Sequence, residues 1–405
     1  MFPLLWERAR VRANSKGTTL TSILSLQRRA RKLLERETTM PANYRADHVG
    51  SLLRPAELLQ ARSAGSEQLR ALEDKHILQV LQRQKDLGFR IFTDGELRRV
   101  NFMSDFNDAV EGIDESDNLL RQWQASVAGS SIQPSRVPGI VVGKIKQTRR
   151  LTQHEFAFVK QQSPGDIKVT LPTANQFPAI YYKKGISDKV YPTHSAFLWD
   201  IVPIIKAEIQ ALVSEGAQYV QIDAPRYSYY IDPKWRNYVK TEMGLDPDAA
   251  LDDAIRADNA CLEGAKRPAV TLAIHLCRGN NRSQWYAEGG YDAIAEKLFG
   301  QLQVDAFLLE YESERAGSFE PLRFVPRGKT VVLGLVSSKL PAMESQDQLA
   351  KRIDEATKYV PLENLALSPQ CGFASTMEGN LLTDEEQWRK LKLIVDTAVK
   401  VWGRA

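Results

Sequence analysis

The apolar positions of this chain follow two alternating rhythms. Short β-branched runs recur at Ala46–Ser51, Phe89–Gly95, Ile167–Pro172, Tyr219–Pro225, Val270–Cys277, Ala306–Glu312, Thr330–Ser338 and Leu365–Gly372. Between them lie longer stretches with helical spacing: Leu198–Glu215, Asp248–Gly264, Tyr291–Leu302 and Ser345–Tyr359, with a last one at Thr383–Trp402. Strands that alternate with helices predict a parallel sheet. Eight such units predict an α/β fold of the (β/α)8 TIM-barrel type. An open doubly wound sheet is the rival, but no Gly-rich phosphate loop follows the first strand. The segment from Glu111 to Pro164 is too long for one βα unit, and Val137–Ile145 within it reads as a hairpin. An insertion after the second strand is expected there.

Charge changes this picture at one end only. The 405 residues carry a formal charge of +4. Residues 1–40 hold nine of the 54 Lys/Arg and three of the 50 Asp/Glu, leaving 45 basic against 47 acidic residues in the remainder. The body is therefore not a nucleic-acid binder by charge. Residues 1–43 are set apart as a basic N-terminal extension, and 44–405 as one catalytic domain. The extension reads as a mitochondrial presequence, as a disordered tail, or as sequence upstream of a true start at Met40. The three cysteines, Cys261, Cys277 and Cys371, cannot form a disulfide framework and suit a reducing, cytoplasmic setting. No run of about 18 apolar residues predicts a membrane span.

Candidate chemistry gathers at the strand ends. Residues i and i+2 of a strand share a face, so His275 and Cys277 are placed to grip one metal ion together. Cys371, ending the last strand, would make a His/Cys/Cys set, which suits zinc and leaves its shell open. A carboxylate near Glu310 would complete it. An isolated His-x-Cys is common, and free cysteine is usually a small buried hydrophobe. The neighbouring strand ends add weight: Gly50-Ser51, Asp94-Gly95-Glu96, Gln221-Ile-Asp223, and Glu310 with Glu312. In a barrel such ends converge on one mouth.

Seven stretches carry a family resemblance. They are His48-Val-Gly-Ser-Leu-Leu-Arg-Pro55, Thr93-Asp-Gly-Glu-Leu-Arg-Arg99, Gln221-Ile-Asp-Ala-Pro225, His275-Leu-Cys-Arg-Gly-Asn280, Leu309-Glu-Tyr-Glu-Ser-Glu-Arg-Ala-Gly317, Val332-Leu-Gly-Leu-Val-Ser-Ser-Lys339 and Leu367-Ser-Pro-Gln-Cys-Gly372. Together they resemble the catalytic half of cobalamin-independent methionine synthase, and still more its short relatives, which include epoxyalkane–coenzyme M transferase. The resemblance implies a zinc site at His275, Cys277, Glu310 and Cys371, with Glu312 the rival carboxylate. It places Asp223 on the amino group of a thiol amino acid, Ser51 on its carboxylate, and Glu96 facing the same substrate.

The function so implied is zinc-dependent methyl transfer from a methyltetrahydrofolate-type donor to a thiol such as homocysteine, a step of methionine biosynthesis. One departure stands out. Val336 occupies the place of the histidine that assists proton transfer in the long enzyme. His48 and His194 are the substitutes at hand, though each also reads as an ordinary core or surface histidine. The alternative is alkyl transfer or thiol addition on another small molecule. Two further readings are a zinc-stabilised barrel without catalysis and a lyase of the uroporphyrinogen decarboxylase type.

Overall fold

The computed structural model describes residues 44–121, 123–126 and 135–405. The basic extension, and with it every expectation about residues 1–43, lies outside the described residues.

Among the described residues, nine strands form two sheets. β1 (Ile91–Phe92), β4 (Asp166–Pro172), β5 (Tyr219–Asp223), β6 (Thr271–Leu276), β7 (Ala306–Glu310), β8 (Thr330–Val336) and β9 (Leu365–Pro369) lie side by side in chain order, all parallel. β2 (Val110–Arg121) and β3 (Ser135–Gln147) pair antiparallel as the expected insertion. The curled seven-stranded sheet takes the TIM-barrel form that the eight sequence runs predicted.

The eighth stave is the first run, and it differs from expectation. Only Ala46 bridges β9, at Leu367, and beyond it the chain leaves strand geometry. The reason is local: Gly50 turns at φ 147° while its carbonyl accepts from Thr93 Oγ1 at 2.9 Å, and Leu52 N donates to Gly95 O at 2.9 Å. Polar side chains do the rest of the closing. The Lys168 ammonium donates to Asp47, to His48 O (2.7 Å) and to Gln221 (3.0 Å), and Tyr219 OH donates to Asp47 at 3.1 Å. Such a buried ion pair is weak evidence for added stability but strong at fixing register, because losing one partner strands a charge.

Helices cover the outside. α1 (Ala56–Ser63) and α2 (Leu69–Leu87) follow the first stave, and α3 (Gln153–Gln162) follows the hairpin. α4 (Pro178–Tyr181) and α5 (His194–Glu215) follow β4; α6 (Pro233–Thr241) and α7 (Pro247–Leu262) follow β5. α8 (Ala295–Gln301), α9 (Gln346–Ala356) and α10 (Asp384–Trp402) follow β6, β8 and β9. Their ends obey ordinary capping rules. Thr193 accepts from Ala196 N, and Gly216 ends α5 with φ 104°. Thr383 and Glu386 form a capping box before α10.

Period-2 alternation sorts the barrel interior. Tyr219, Ala273, Ala306, Leu308, Val332 and Ala366 belong to a small apolar cluster, separate from the large core under the helices. Two and four residues further along the same faces come Gln221 and Asp223, His275 and Cys277, with Glu310 and Ser368 two residues on. The interior thus runs from apolar to polar toward the C-terminal ends of the strands.

Candidate metal and thiol site

The strand ends meet as the alternation requires. His275, Cys277 and Cys371 are buried, and their ligand atoms all lie within 4.8 Å of one another. His275 is on β6, Cys277 one residue past its end, and Cys371 two residues past β9. All three line a cavity of about 350 Å³, together with Ser51, Glu96 and Asp223. Six of the seven predicted site residues therefore share one space.

The seventh, Glu310, lies outside the tight trio. It is fully buried at the end of β7, where its Oε2 accepts from Arg278 N at 2.8 Å and its Oε1 pairs with Arg315 at 2.6 Å. Burial pushes this carboxyl up, but Arg315, Lys339 and Arg278 outweigh it and hold it below its ordinary value. Glu312 shares Arg315 at 2.7 Å, and burial followed by the charge of Glu310 pushes its carboxyl up.

The two thiols pull each other's pKa in opposite directions. The hydrogen bond from Cys277 is the largest influence drawing the Cys371 thiol well down; burial opposes it and His275 assists. Cys277 is pushed well up by the same bond and by burial. Burial works against an imidazolium at His275, yet Cys371, Asp223 and Glu310 outweigh it and raise its pKa. Neither ring nitrogen of His275 has a hydrogen-bond partner of acceptable geometry. Two unpartnered nitrogens on a buried imidazole, beside two thiols, form a soft donor set of the kind that holds a metal ion.

The carboxylates are held differently. Burial pushes Asp223 up to about 7; His275 works against this and Glu96 with it, while Gln221 Nε2 donates to it at 2.7 Å. Glu96 sits at φ 57°, in a turn braced by its N–H donating to Asp94 Oδ1 at 2.9 Å. Its Oε1 accepts from Thr170 Oγ1 at 2.7 Å, and its Oε2 is buried without a partner. Ser51 lies against Gly372: a Cβ there would stand 2.0 Å from Ser51 Oγ, so only glycine lets these two strand ends touch.

The substitutes for the missing histidine are elsewhere. His48 is buried on Phe89 and its Nε2 meets Ile91 O at 3.2 Å; burial pulls it down to about 4. His194 begins α5 against Tyr182, also pulled down to about 4 by burial. Neither lines the cavity. Val336 is fully buried at the end of β8. The cavity wall also includes Trp123, Gln176, Arg226, Asn280 and Tyr286, which the sequence reading passed over. Arg226 had a legible signal, three residues past Asp223 on the same strand-end turn. Trp123 had none, because an insertion gives no register to reason from.

A parallel barrel with a soft N/S donor trio and buried carboxylates at its C-terminal mouth has the layout of a barrel enzyme's catalytic domain. The family model for the catalytic domain of cobalamin-independent synthases matches residues 54–400, and the chain belongs to that family, whose members are methyltransferases. The uncharacterized protein YxjH of Bacillus subtilis is 36% identical over 375 residues, covering 90% of this chain and 97% of that protein. The methionine synthase of Pyrococcus horikoshii is 24% identical over 295 residues, covering 72% and 73%. The solved B12-independent methionine synthase of Shewanella sp. W3-18-1, in complex with selenomethionine, superposes with a TM-score of 0.69 at 21% identity, covering 89% of this chain and 98% of that one, and establishes the fold. Among the described residues no helix is long and apolar enough to cross a membrane.

Proposed function

We propose that this protein is a zinc-dependent S-methyltransferase that moves a methyl group from a methyltetrahydrofolate-type donor to a small-molecule thiol such as homocysteine. One observation carries the reading: His275, Cys277 and Cys371 bring their donor atoms within 4.8 Å of one another at the wall of a cavity that also holds Asp223 and Glu96. Tetrahedral zinc separates nitrogen and sulfur ligands by roughly 3.3–3.8 Å, which fits that envelope. His275, Cys277 and Cys371 would hold the ion, and Glu310 would reach it only by giving up part of its hold on Arg315. An ion held there would supply the Lewis acidity that lets an incoming thiol stay ionised at neutral pH.

The residues around the trio orient the acceptor. Asp223 is set to meet an ammonium group, and the arriving positive charge would pull its pKa back down. Glu96 Oε2, buried and unpartnered, is a second acceptor for the same group. Ser51 offers its hydroxyl and lies beside Cys371 through Gly372.

Val336 favours a second reading. A folate amine leaves poorly without a proton, and among the described residues the histidine that lines this cavity is His275, the candidate metal ligand. Alkyl transfer or thiol addition at an epoxide-like carbon needs no such acid on a leaving amine. The test is X-ray absorption at the zinc edge with and without homocysteine, beside a methionine assay with methyltetrahydrofolate. One zinc per chain that gains a sulfur neighbour, with methionine formed, supports the first reading. Zinc indifferent to homocysteine points to another thiol, and no zinc refutes both.

A further inference from the structure

Arg226 is the buried cation that neither the fold nor the site described so far employs. It is 3% exposed on the turn Pro225–Tyr230 that leaves β5 directly after Asp223. Its guanidinium lies 5.0 Å from the ring centroids of both Tyr229 and Tyr286. Its Nε donates to Gln176 Oε1 at 2.9 Å, while Nη1 is buried with no partner. Among the described residues no carboxylate comes within ion-pair distance of it.

Three other buried arginines on the barrel's loops behave differently. Arg99 donates twice to Glu155 and twice to Thr170. Arg54 donates to four backbone carbonyls, and Arg278 makes four such bonds and one to the Tyr291 hydroxyl. These hold loops in place and use most of the guanidinium's five N–H donors. Arg226 uses one. A desolvated, unpaired guanidinium is costly unless an anion completes it.

Its position says where that anion comes from. Arg226 lines the cavity of the thiol site and also a second cavity, of about 280 Å³, walled by Leu198, Tyr229, Tyr230, Val239 and Met243. We propose that Arg226 is a substrate-binding residue that takes a carboxylate through its free guanidinium edge. The recognised molecule is a small carboxylic acid seated in the thiol cavity, with room to extend past Arg226 into the second one. Tyr229 and Tyr286 hold the guanidinium plane, so the fork is fixed before the ligand arrives, as carboxylate recognition requires. This rests on the reading of the cavity as the substrate site and adds which chemical group selects the substrate. Two sources share that chemistry: the amino-acid thiol acceptor and the carboxylated tail of the methyl donor.

The test is calorimetric titration of zinc-loaded wild type, Arg226→Met and Arg226→Lys. The probes are homocysteine, 3-aminopropane-1-thiol (the same thiol without its carboxylate), 5-methyltetrahydrofolate, and a 5-methyltetrahydropterin without the aminobenzoyl-glutamate. Arg226→Met should weaken one carboxylated probe about ten- to a hundredfold and leave its truncated counterpart unchanged. The probe that suffers identifies the source. Arg226→Lys, which keeps the charge and loses the fork, should fall between. Equal affinity of all three proteins for every probe overturns the proposal. If wild type binds none of the probes, the methyltransferase reading has failed, and soaking wild-type crystals in selenate decides the inference separately. An anomalous peak against the Arg226 guanidinium upholds it, and no peak overturns it. The soak needs no variant, so misfolding of Arg226→Met does not remove the test.

Discussion

Replacing Arg99 with methionine should destabilise the protein far more than its surface would suggest. Arg99 is 1% exposed and donates to Glu155 at 2.9 and 2.8 Å, to Thr170 Oγ1 at 2.9 Å and to Thr170 O at 3.0 Å, with Glu96 at 3.7 Å. Burial works against its charge, but the facing Glu155, Glu96 and Asp94 outweigh that and push its pKa further up. Methionine fills much of the volume and leaves the buried carboxylate of Glu155 without its cation. Breaking a buried pair from one side costs about 3–5 kcal/mol. At roughly 2.1 cal/mol/K per residue over a body of this length, that lowers Tm by about 4–7 °C. The assay is thermal unfolding at fixed scan rate, since a chain of this size commonly unfolds irreversibly. Adding Glu155→Gln should recover part of the loss, because the stranded charge is then gone.

The same variant predicts a pH dependence. Burial already pushes the Glu155 carboxyl up, and Arg99 is the largest influence holding it down. Without Arg99 its folded pKa rises further above the unfolded value. A group raised in this way contributes stability at low pH and loses it as pH rises through the folded pKa. The deficit of Arg99→Met against wild type should therefore be smallest near pH 5 and largest near pH 8. A Tm within 1 °C of wild type at pH 8, or a deficit that grows on acidification, would refute the reasoning.

Three further outcomes follow from the geometry. Cys277→Ser and Cys371→Ser should each lose zinc by elemental analysis and methyl transfer by assay, with an unchanged far-ultraviolet circular dichroism spectrum; retained metal and turnover in either would remove that cysteine from the ligand set. Asp223→Asn should keep its zinc and raise the KM for an amino-acid thiol by about tenfold or more, as expected for a lost charged hydrogen bond; an unchanged KM would mean that no ammonium group meets Asp223. Gly334→Ala should cost about 2 kcal/mol or more, because its Cβ would meet backbone only, Leu309 O at 2.7 Å and Gln370 Cα at 2.8 Å; equal urea midpoints would show that the barrel wall yields there more easily than the contacts imply.

The staves were legible because each is a buried parallel strand, apolar on both faces, and such runs stand out against helical spacing. Seven became strands, several trimmed at the C-terminal end, where side chains turn into the mouth and backbone pairing stops. The first run resisted. Its residues have strand composition, but the Gly50 turn and the approach of Thr93 replace ladder pairing with side-chain bonds, which no periodicity encodes. In the site, period 2 was enough to bring Asp223, His275 and Cys277 to one rim, and six of the predicted residues line one cavity. Glu310 shows the limit of that argument. Its register is right, yet its oxygens are committed to Arg278 and Arg315, and a partner five residues downstream on a separate turn leaves no trace in strand alternation. Trp123 was out of reach for the same reason, since an inserted hairpin lands where tertiary contacts put it.

The single bridge between Ala46 and Leu367 governs when this fold can exist during synthesis. Arg45 Nη1 donates to Leu365 O across 320 residues of chain. The partner of the first stave is not made until roughly 16–64 s after it at ordinary elongation rates. Asp47 and Lys168 can meet once the 121 residues separating them are made, but the seam between first and last staves still stays open. The nascent barrel is a curled ribbon with two raw edges, and the arrival of the last stave is what seals it.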